Sequence, residues 1–201
     1  MAWLMATKLE MTRVMKDDKF VPVTLLKVPE LRVVWFKTLE KDWYKAIIVW
    51  VLCKDSEGTL KEGNTTVSKN EFSKIKEFAV SDEELGKYKA GDTISLDVIE
   101  AWMTVTIVWT SKWRWFAWAM KRHNFHGWPG GHGSKFHRAL GSIGNRKPTR
   151  THKGKKMHGH YGVDTVSLRK VPVELVNAEM SVVGVRGWVP GARNSHVNII
   201  F

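Results

Sequence analysis

The chain has 201 residues, 43% of them apolar, and carries a formal net charge of +12. This length corresponds to roughly 1.3 domains of average size, and the composition supports a folded core and excludes wholesale disorder. No apolar run reaches the roughly 18 residues that a transmembrane helix needs. The single cysteine, Cys53, excludes an internal disulfide and argues against a cysteine-based zinc site. Residues 1–13 lack a long apolar stretch, so we expect no secretory signal and a cytoplasmic location.

β-strands are predicted in both flanks of the chain, because β-branched residues recur there between turn signals. The predicted strands are residues 21–28, 31–38, 45–52, 93–100, 103–110, 163–176, 180–186 and 197–201. Several short strands at close spacing are typical of a closed barrel or a sandwich. The predicted fold is therefore mainly β with minor α, and its simplest topology is one barrel with a long loop inserted between two strands.

One or two short helices are predicted within residues 68–90. Two serines there precede a glutamate at capping-box spacing, and apolar residues after the first pair recur at helical spacing. The residues that carry this pattern are Ser68, Glu71, Phe72, Ile75, Phe78, Ser81 and Glu84. Core packing is the simplest interpretation of their apolar face.

The net charge is concentrated in residues 111–160. This segment holds twelve Lys and Arg residues and no acid, whereas the other 151 residues carry twenty bases and twenty acids. It also contains seven of the eight histidines, and residues 127–162 have no helical or strand period. Such a loop repels itself and becomes ordered only against a polyanion. We therefore predict a nucleic-acid partner, RNA rather than DNA, because no DNA-reading helix motif is present.

The chain contains eleven tryptophans, compared with three tyrosines and eight phenylalanines. Several of them occupy turn positions where glycine is expected. Trp43 follows Asp42, Trp128 stands before Pro129, and Trp188 follows a glycine. A bulky indole is costly at such positions.

Three interpretations of the tryptophans remain open. Trp113 and Trp115 could stack on bases, and Trp35 and Trp50 could belong to the core. Alternatively, the gene uses UGA for glycine and all eleven positions are glycine in the protein. Any position encoded by UGG would refute this last interpretation for that position.

Other classes of function find little support. Residues 111–160 have no carboxylate that could act in general acid–base catalysis or orient a histidine, so an enzyme is not expected. A zinc site built from His123, His126, His132 and His137 would lack cysteine and acidic ligands and would lie in strongly positive surroundings, so no metal or other cofactor is expected. A free-standing RNA-binding protein or RNA chaperone remains the alternative.

Motifs in the second half of the chain resemble the bacterial type of large-subunit ribosomal protein L-three. The sequence TSKWRWFAWAMKRHNF is similar to the family's TSKGKGFxGxxKRHxF, with Trp at each glycine. The other matching segments follow in the family's order at residues 130–144, 152–157, 159–162 and 185–191. Restoring glycine at the tryptophans extends the resemblance to the N-terminus.

This resemblance implies a fold and a role. Residues 1–110 and 161–201 would form a barrel of the translation-protein type, and residues 111–160 would be an extension that penetrates the large subunit toward the peptidyl transferase centre. The protein would bind the large 23S-type rRNA directly and early in assembly, near proteins of the L-fourteen and L-nineteen type. It would be a structural component with no enzymatic activity, and it would bind neither DNA nor membrane.

Charge pattern and resemblance together give a set of predicted rRNA contacts. In this set Arg and Lys neutralise phosphates, aromatic and His rings stack, and glycines allow close approach of the backbone. The predicted residues are Lys112, Arg114, Lys121, Arg122, His123, Asn124, Phe125, His132, Lys135, Phe136, His137, Arg138, Gly141, Ser142, Arg146, Lys147, Arg150, Lys153, Lys155, Lys156, Met157, His158 and His160.

The chain also departs from the family pattern. Asn145 replaces a glutamine that can be methylated in many bacterial members, so we do not expect that modification. Leu140 stands where a proline is common, and Glu10 replaces a glycine.

Overall fold

The computed structural model describes residues 3–52, 72–81, 85–94 and 96–201. The chain forms two compact units, one made of Met1–Trp109 with Val166–Phe201 and the other of Thr110–Thr165. Strands dominate the described residues and only short helices accompany them, so the prediction of a mainly β fold with minor α is confirmed.

The elements follow one another along the chain with these bounds: β1 (Trp3–Lys16), β2 (Lys19–Lys27), β3 (Leu31–Lys37), α1 (Leu39–Asp42), β4 (Ala46–Leu52), β5 (Phe72–Ala79), β6 (Thr93–Ile94), a 3-10 turn (Leu96–Val98), β7 (Thr104–Thr110), β8 (Arg114–Ala117), α2 (Ala119–His123), β9 (Gly159–Tyr161), β10 (Thr165–Asn177), β11 (Val182–Arg186) and β12 (His196–Ile200). No helix in these described ranges has both the length and the apolar character that crossing a membrane would require.

Six strands of the first unit close into a barrel in the order β1-β12-β7-β10-β11-β2, with β2 paired antiparallel to β1. Side chains alternate between the inside and the outside, as they must in a strand. Leu4, Leu26, Ile107, Val183 and Ile199 are fully buried and fill the core. The predicted closed barrel is therefore confirmed.

The barrel strands β7 and β10 are neighbours, although more than fifty residues separate them in sequence. Backbone hydrogen bonds connect the residues just before β7 with Val173 in β10. The Trp102 amide donates to the Val173 carbonyl at 2.8 Å, and the Val173 amide donates to the Met103 carbonyl at 2.9 Å. The second unit is thus inserted between two adjacent strands.

A second antiparallel sheet in the first unit has the strand order β5-β4-β3-β6. Leu31, Val33, Ile47 and Val49 from this sheet are fully buried in the same core as the barrel residues. The hydrophobic effect of this shared core stabilises the sheet and the barrel as one packed unit.

The helix predicted over the first capping-box segment is wrong in the part that is described. Residues 72–79 form strand β5, in register with β4 from Phe72 opposite Leu52 to Ala79 opposite Ala46. Phe78 is buried and its ring stacks on Trp3 with centroids 3.5 Å apart, whereas Ile75 is 56% exposed. Pairing with the buried strand β4 outweighs the local helical spacing.

The capping residues themselves fall partly outside the described ranges. This holds for Ser68 and Glu71 of the first signature and for Glu84 of the second. From the second signature, the described residues include a hydrogen bond of 3.0 Å from the Leu85 amide to the Ser81 carbonyl.

Two further strand predictions differ from the structure. Of the predicted strand 93–100, Thr93–Ile94 form a strand and Leu96–Val98 form a 3-10 turn instead, because the buried Leu96 and Ile99 are three residues apart and share one face of a helical turn. The sequence pattern does not indicate strand β1. Its first four residues are all buried, so the alternation that marks a half-exposed strand is absent there.

Candidate nucleic-acid interface

The second unit, Thr110–Thr165, begins and ends in a short two-stranded ribbon. Strand β8 pairs antiparallel with β9, with Arg114 opposite Tyr161 and Ala117 opposite Gly159. Beside the ribbon, the Ser111 amide donates to the Asp164 carbonyl at 2.8 Å, and the Ser111 hydroxyl accepts from the Asp164 amide at 3.2 Å. The outgoing and returning limbs of the insertion are therefore held side by side.

Gly162 makes this close approach of the limbs possible. Its φ of +91° lies in the left-handed region that favours glycine, and a Cβ there would collide with the carbonyl oxygen of Lys112. The glycine motif before strand β10 therefore has a structural role at the base of the insertion.

Helix α2 lies directly after β8 on the outgoing limb. It ends at Asn124, whose φ of +58° gives the left-handed conformation common after a helix. From this helix the Arg122 Nη1 donates to the Met157 carbonyl at 2.8 Å, and His123 Nε2 lies 3.1 Å from the same oxygen. Two predicted RNA-binding side chains thus contact the backbone of a third predicted residue.

A second internal contact orders the segment after α2. The Trp128 amide donates to the His137 carbonyl at 3.0 Å, and His137 Nδ1 lies 2.9 Å from the Pro129 carbonyl. Gly127, with φ of +74°, leaves space that a side chain would take from the His137 carbonyl. His137 therefore holds this turn through its own backbone and ring.

The charge of the second unit is almost entirely accessible to solvent. Eleven of the twelve bases in residues 111–160 have exposed side chains, and Arg122 is half-buried. The exposed bases are Lys112, Arg114, Lys121, Lys135, Arg138, Arg146, Lys147, Arg150, Lys153, Lys155 and Lys156. In the described ranges, the salt bridges all connect residues of the first unit, such as Lys16 with Glu174 at 3.1 Å. The positive charge of the second unit is not neutralised by these pairs.

The distal part of the insertion is an exposed loop with few side-chain contacts. Phe136 is 61% exposed, Gly141 has a φ of +84°, and the Ser142 hydroxyl donates to the Gly144 carbonyl at 3.1 Å. His132 is also exposed and has a φ of +56°. A cavity of 240 Å³ opens in this loop, lined by Ile143, Gly144, Asn145, Pro148, Thr149, Arg150 and Thr151.

Rings cluster along the β8–β9 ribbon. Phe116 lies 5.2 Å from His158, and Trp113 lies 6.2 Å from His160, measured between ring centroids. These side chains are exposed, as is Trp115, which is 78% exposed. Exposed rings next to bases can stack on nucleobases, and the stacking interpretation of Trp113 and Trp115 stays a prediction.

The core interpretation of the tryptophans is only partly supported. Trp35 is 49% exposed, so its placement in the core is wrong, because it lies on the outer face of β3; Trp50 is half-buried. In the first unit, the side chain of Trp3 is buried in the core. The backbone at Trp43 and Trp102 has φ values of +68° and +75°, a region that bulky residues rarely adopt.

Two titratable groups of the first unit, His196 and Lys74, have lowered pKa values. Burial, followed by the positive charge of Lys74, lowers the pKa of His196. Burial, followed by the charge of Lys76, lowers the pKa of Lys74 itself. Within the part of the chain that the structure describes, no group of three His, Cys, Asp or Glu residues is placed to hold a metal ion.

Sequence reasoning missed the internal contacts that shape the insertion. Gly127 and Gly162 allow backbone approach at its turns, and the Met157 carbonyl lies within hydrogen-bond distance of two side chains. The turn role of these two glycines could have been predicted from the sequence, because each glycine stands next to an extended segment. The Met157 contact joins residues 35 positions apart, so no local pattern could have indicated it.

Comparison with known proteins identifies the family, although no protein-family model matches the chain. The large ribosomal subunit protein uL3 of Fervidobacterium nodosum is 39% identical over 99% of this chain and 97% of its own length. The uL3 proteins of Thermotoga maritima and Borreliella afzelii are 38% and 35% identical, over 99% and 98% of this chain and 96% and 97% of their own lengths. Identity at this level over nearly the whole chain shows that it belongs to the large ribosomal subunit protein uL3 family.

Proposed function

We propose that the protein is a structural constituent of the large ribosomal subunit in the cytoplasm and binds the large 23S-type rRNA directly through residues 111–160. Membership of the uL3 family carries the first part of this statement. The rRNA contact and the residues that make it are our extension of it.

One observation carries the rRNA contact. Residues 111–160 hold twelve bases and no acid, and eleven of the twelve side chains are exposed. An RNA backbone supplies one phosphate per nucleotide and releases counterions when cationic side chains replace them. The segment therefore has the charge of an RNA-binding surface, and among the described residues none of its bases takes part in a salt bridge.

The contacts of the segment divide into three physical kinds. Exposed bases such as Arg138, Arg146 and Arg150 bind phosphates, and the guanidinium forks can hold two oxygens at once. Exposed rings such as Phe136 and His158 stack on bases. Gly141 brings backbone amides close to the RNA.

The resemblance adds finer proposals. Residues 1–110 and 161–201 would serve as the body and residues 111–160 as the extension that approaches the peptidyl transferase centre. We further propose binding early in assembly and contact with proteins of the L-fourteen and L-nineteen type. The protein would act as a structural part and not as a catalyst.

Salt dependence of RNA affinity tests the proposal on the full chain. One variant replaces six exposed lysines of the extension by glutamine, namely Lys112, Lys121, Lys135, Lys147, Lys153 and Lys155. The matched control replaces six exposed lysines of the first unit, namely Lys19, Lys27, Lys41, Lys87, Lys89 and Lys170. Affinity for a transcript of the 3′ half of the large rRNA is measured between 50 and 300 mM salt.

In the extension variant we expect the slope of log affinity against log salt to become shallower by up to about 5. Each lost phosphate contact reduces the magnitude of this slope by roughly 0.7–0.9. The control should keep most of its slope. The opposite pattern, with the larger loss in the control, would place the RNA contacts on the first unit and contradict the proposal.

A further inference from the structure

Arg122 differs from the other bases of the extension. It is half-buried, and its Nη1 donates to the Met157 carbonyl at 2.8 Å. The other eleven bases of residues 111–160 are exposed. A guanidinium that already donates to a backbone carbonyl has fewer donors available for a phosphate.

The Met157 carbonyl is the meeting point of the two limbs. It receives Arg122 from helix α2, and His123 Nε2 from the same helix lies 3.1 Å away, close enough to donate in the tautomer that carries the proton on that nitrogen. Arg122 and His123 lie 35 and 34 residues from Met157 in sequence. This oxygen therefore adds side-chain contacts between the outgoing and returning limbs to the strand pairing of β8 with β9.

The surroundings of the guanidinium are adapted to it. Helix α2 begins with backbone hydrogen bonds from Lys121 and Arg122 to the Trp118 carbonyl, at 3.0 and 2.9 Å, which order the backbone that carries Arg122. On the returning limb, a Cβ at Gly159 would come within 3.1 Å of Arg122 Nη1. Glycine at this position gives the guanidinium its space.

We infer that Arg122 and His123 are positioning residues, which close the neck of the extension instead of contacting RNA phosphates. The neck is defined as residues 114–123 and 157–161. Closing a loop of this length costs conformational entropy. Contacts within the protein offset this cost before RNA binds. The affinity gained is that of preorganisation, because less ordering is left for the binding step. This inference rests on the proposed function, since it assumes that the extension binds RNA.

Two single variants of the full chain separate positioning from phosphate contact. Arg122→Ala removes the neck contact, and its matched control Lys121→Ala removes the neighbouring exposed cation. Affinity for the rRNA transcript is measured over the same salt series. We expect Arg122→Ala to bind roughly tenfold more weakly at every salt concentration with an unchanged slope, and Lys121→Ala to lose about 0.7–0.9 of slope. A loss of slope in Arg122→Ala equal to that of the control would overturn the inference.

A second measurement needs no RNA and reports on the inference even if the proposed function fails. Hydrogen exchange of the free proteins is followed by mass spectrometry in peptides that cover residues 114–117 and 157–161. Arg122→Ala and His123→Ala should speed exchange there at least threefold, whereas Lys121→Ala should not. Exchange in β12 serves as the control for a folded barrel. Unchanged neck exchange in both Arg122→Ala and His123→Ala would refute the positioning role.

Discussion

Replacing Trp43 by glycine is expected to stabilise the protein although it removes an entire indole side chain. Trp43 follows helix α1 with φ of +68° and ψ of 1°, and it is 90% exposed. The left-handed conformation costs a bulky L-residue roughly 1–2 kcal/mol, and glycine adopts it freely. Because so little of the indole is buried, the substitution sacrifices almost no packing.

The magnitude follows from these terms. Against this gain, glycine raises the conformational entropy of the unfolded chain, which lowers the free energy of unfolding by about 0.5–1 kcal/mol. The expected net gain is therefore about 0.5–1 kcal/mol. With a urea m-value of about 2 kcal/mol/M, the midpoint of unfolding should rise by about 0.25–0.5 M.

Two other tryptophans serve as controls in the same urea titration, followed by circular dichroism at 25 °C. Trp35 lies in the middle of strand β3 and is 49% exposed, so Trp35→Gly, which loses the contacts of the covered part of the ring and weakens the strand, should lower the free energy of unfolding by at least about 1 kcal/mol. Trp102 has φ of +75°, but its ring also lies 3.5 Å from Lys16 Nζ. Losing that cation–π contact, worth about 0.5–1 kcal/mol, should leave Trp102→Gly close to neutral. A lower midpoint for Trp43→Gly would refute the argument from backbone conformation.

Two further predictions concern pH and the chemical identity of the tryptophans. The pKa of His196 is lowered by burial and by Lys74, so the unfolded chain takes up this proton more readily and stability falls as the pH drops through about 6.5. The free energy of unfolding should fall more between pH 7.5 and 5.5 in the native chain than in His196→Gln, and equal losses would exclude this histidine as the cause. In peptide mass spectrometry of the large-subunit fraction, we expect peptides of residues 112–138 with glycine masses at positions 113, 115, 118 and 128. Tryptophan masses would instead favour base stacking, and absence of the peptides from the subunit would favour the free-standing RNA-binding alternative.

Much of the barrel could be predicted because its strands combine β-branched residues with turn signals. The strand predicted over residues 31–38 corresponds to β3, and that predicted over 103–110 corresponds to β7. The sequence predicts a helix where β5 forms, because the spacing of Ile75 and Phe78 fits a helical face. Only the partner strand β4 determines that Phe78 turns inward while Ile75 stays exposed.

The candidate interface shows a similar division. Charge counting is enough to locate the extension, since composition needs no knowledge of contacts. It cannot separate Arg122 from the neighbouring Lys121, because the two differ in their environment and not in their charge. Every residue has a backbone carbonyl, so the sequence around Met157 does not indicate which side chains contact its carbonyl.

The adjacency of β7 and β10 has a consequence for how such a chain can vary over time. The insertion starts and finishes on strands that are already hydrogen-bonded to each other, so the barrel register sets only where its two ends meet. Residues can be gained or lost between these ends without shifting a single pair in the barrel. Doubling the loop would add only about 0.6 kcal/mol of closure entropy. The barrel is therefore free to keep its sequence constraints while the length of the inserted segment changes.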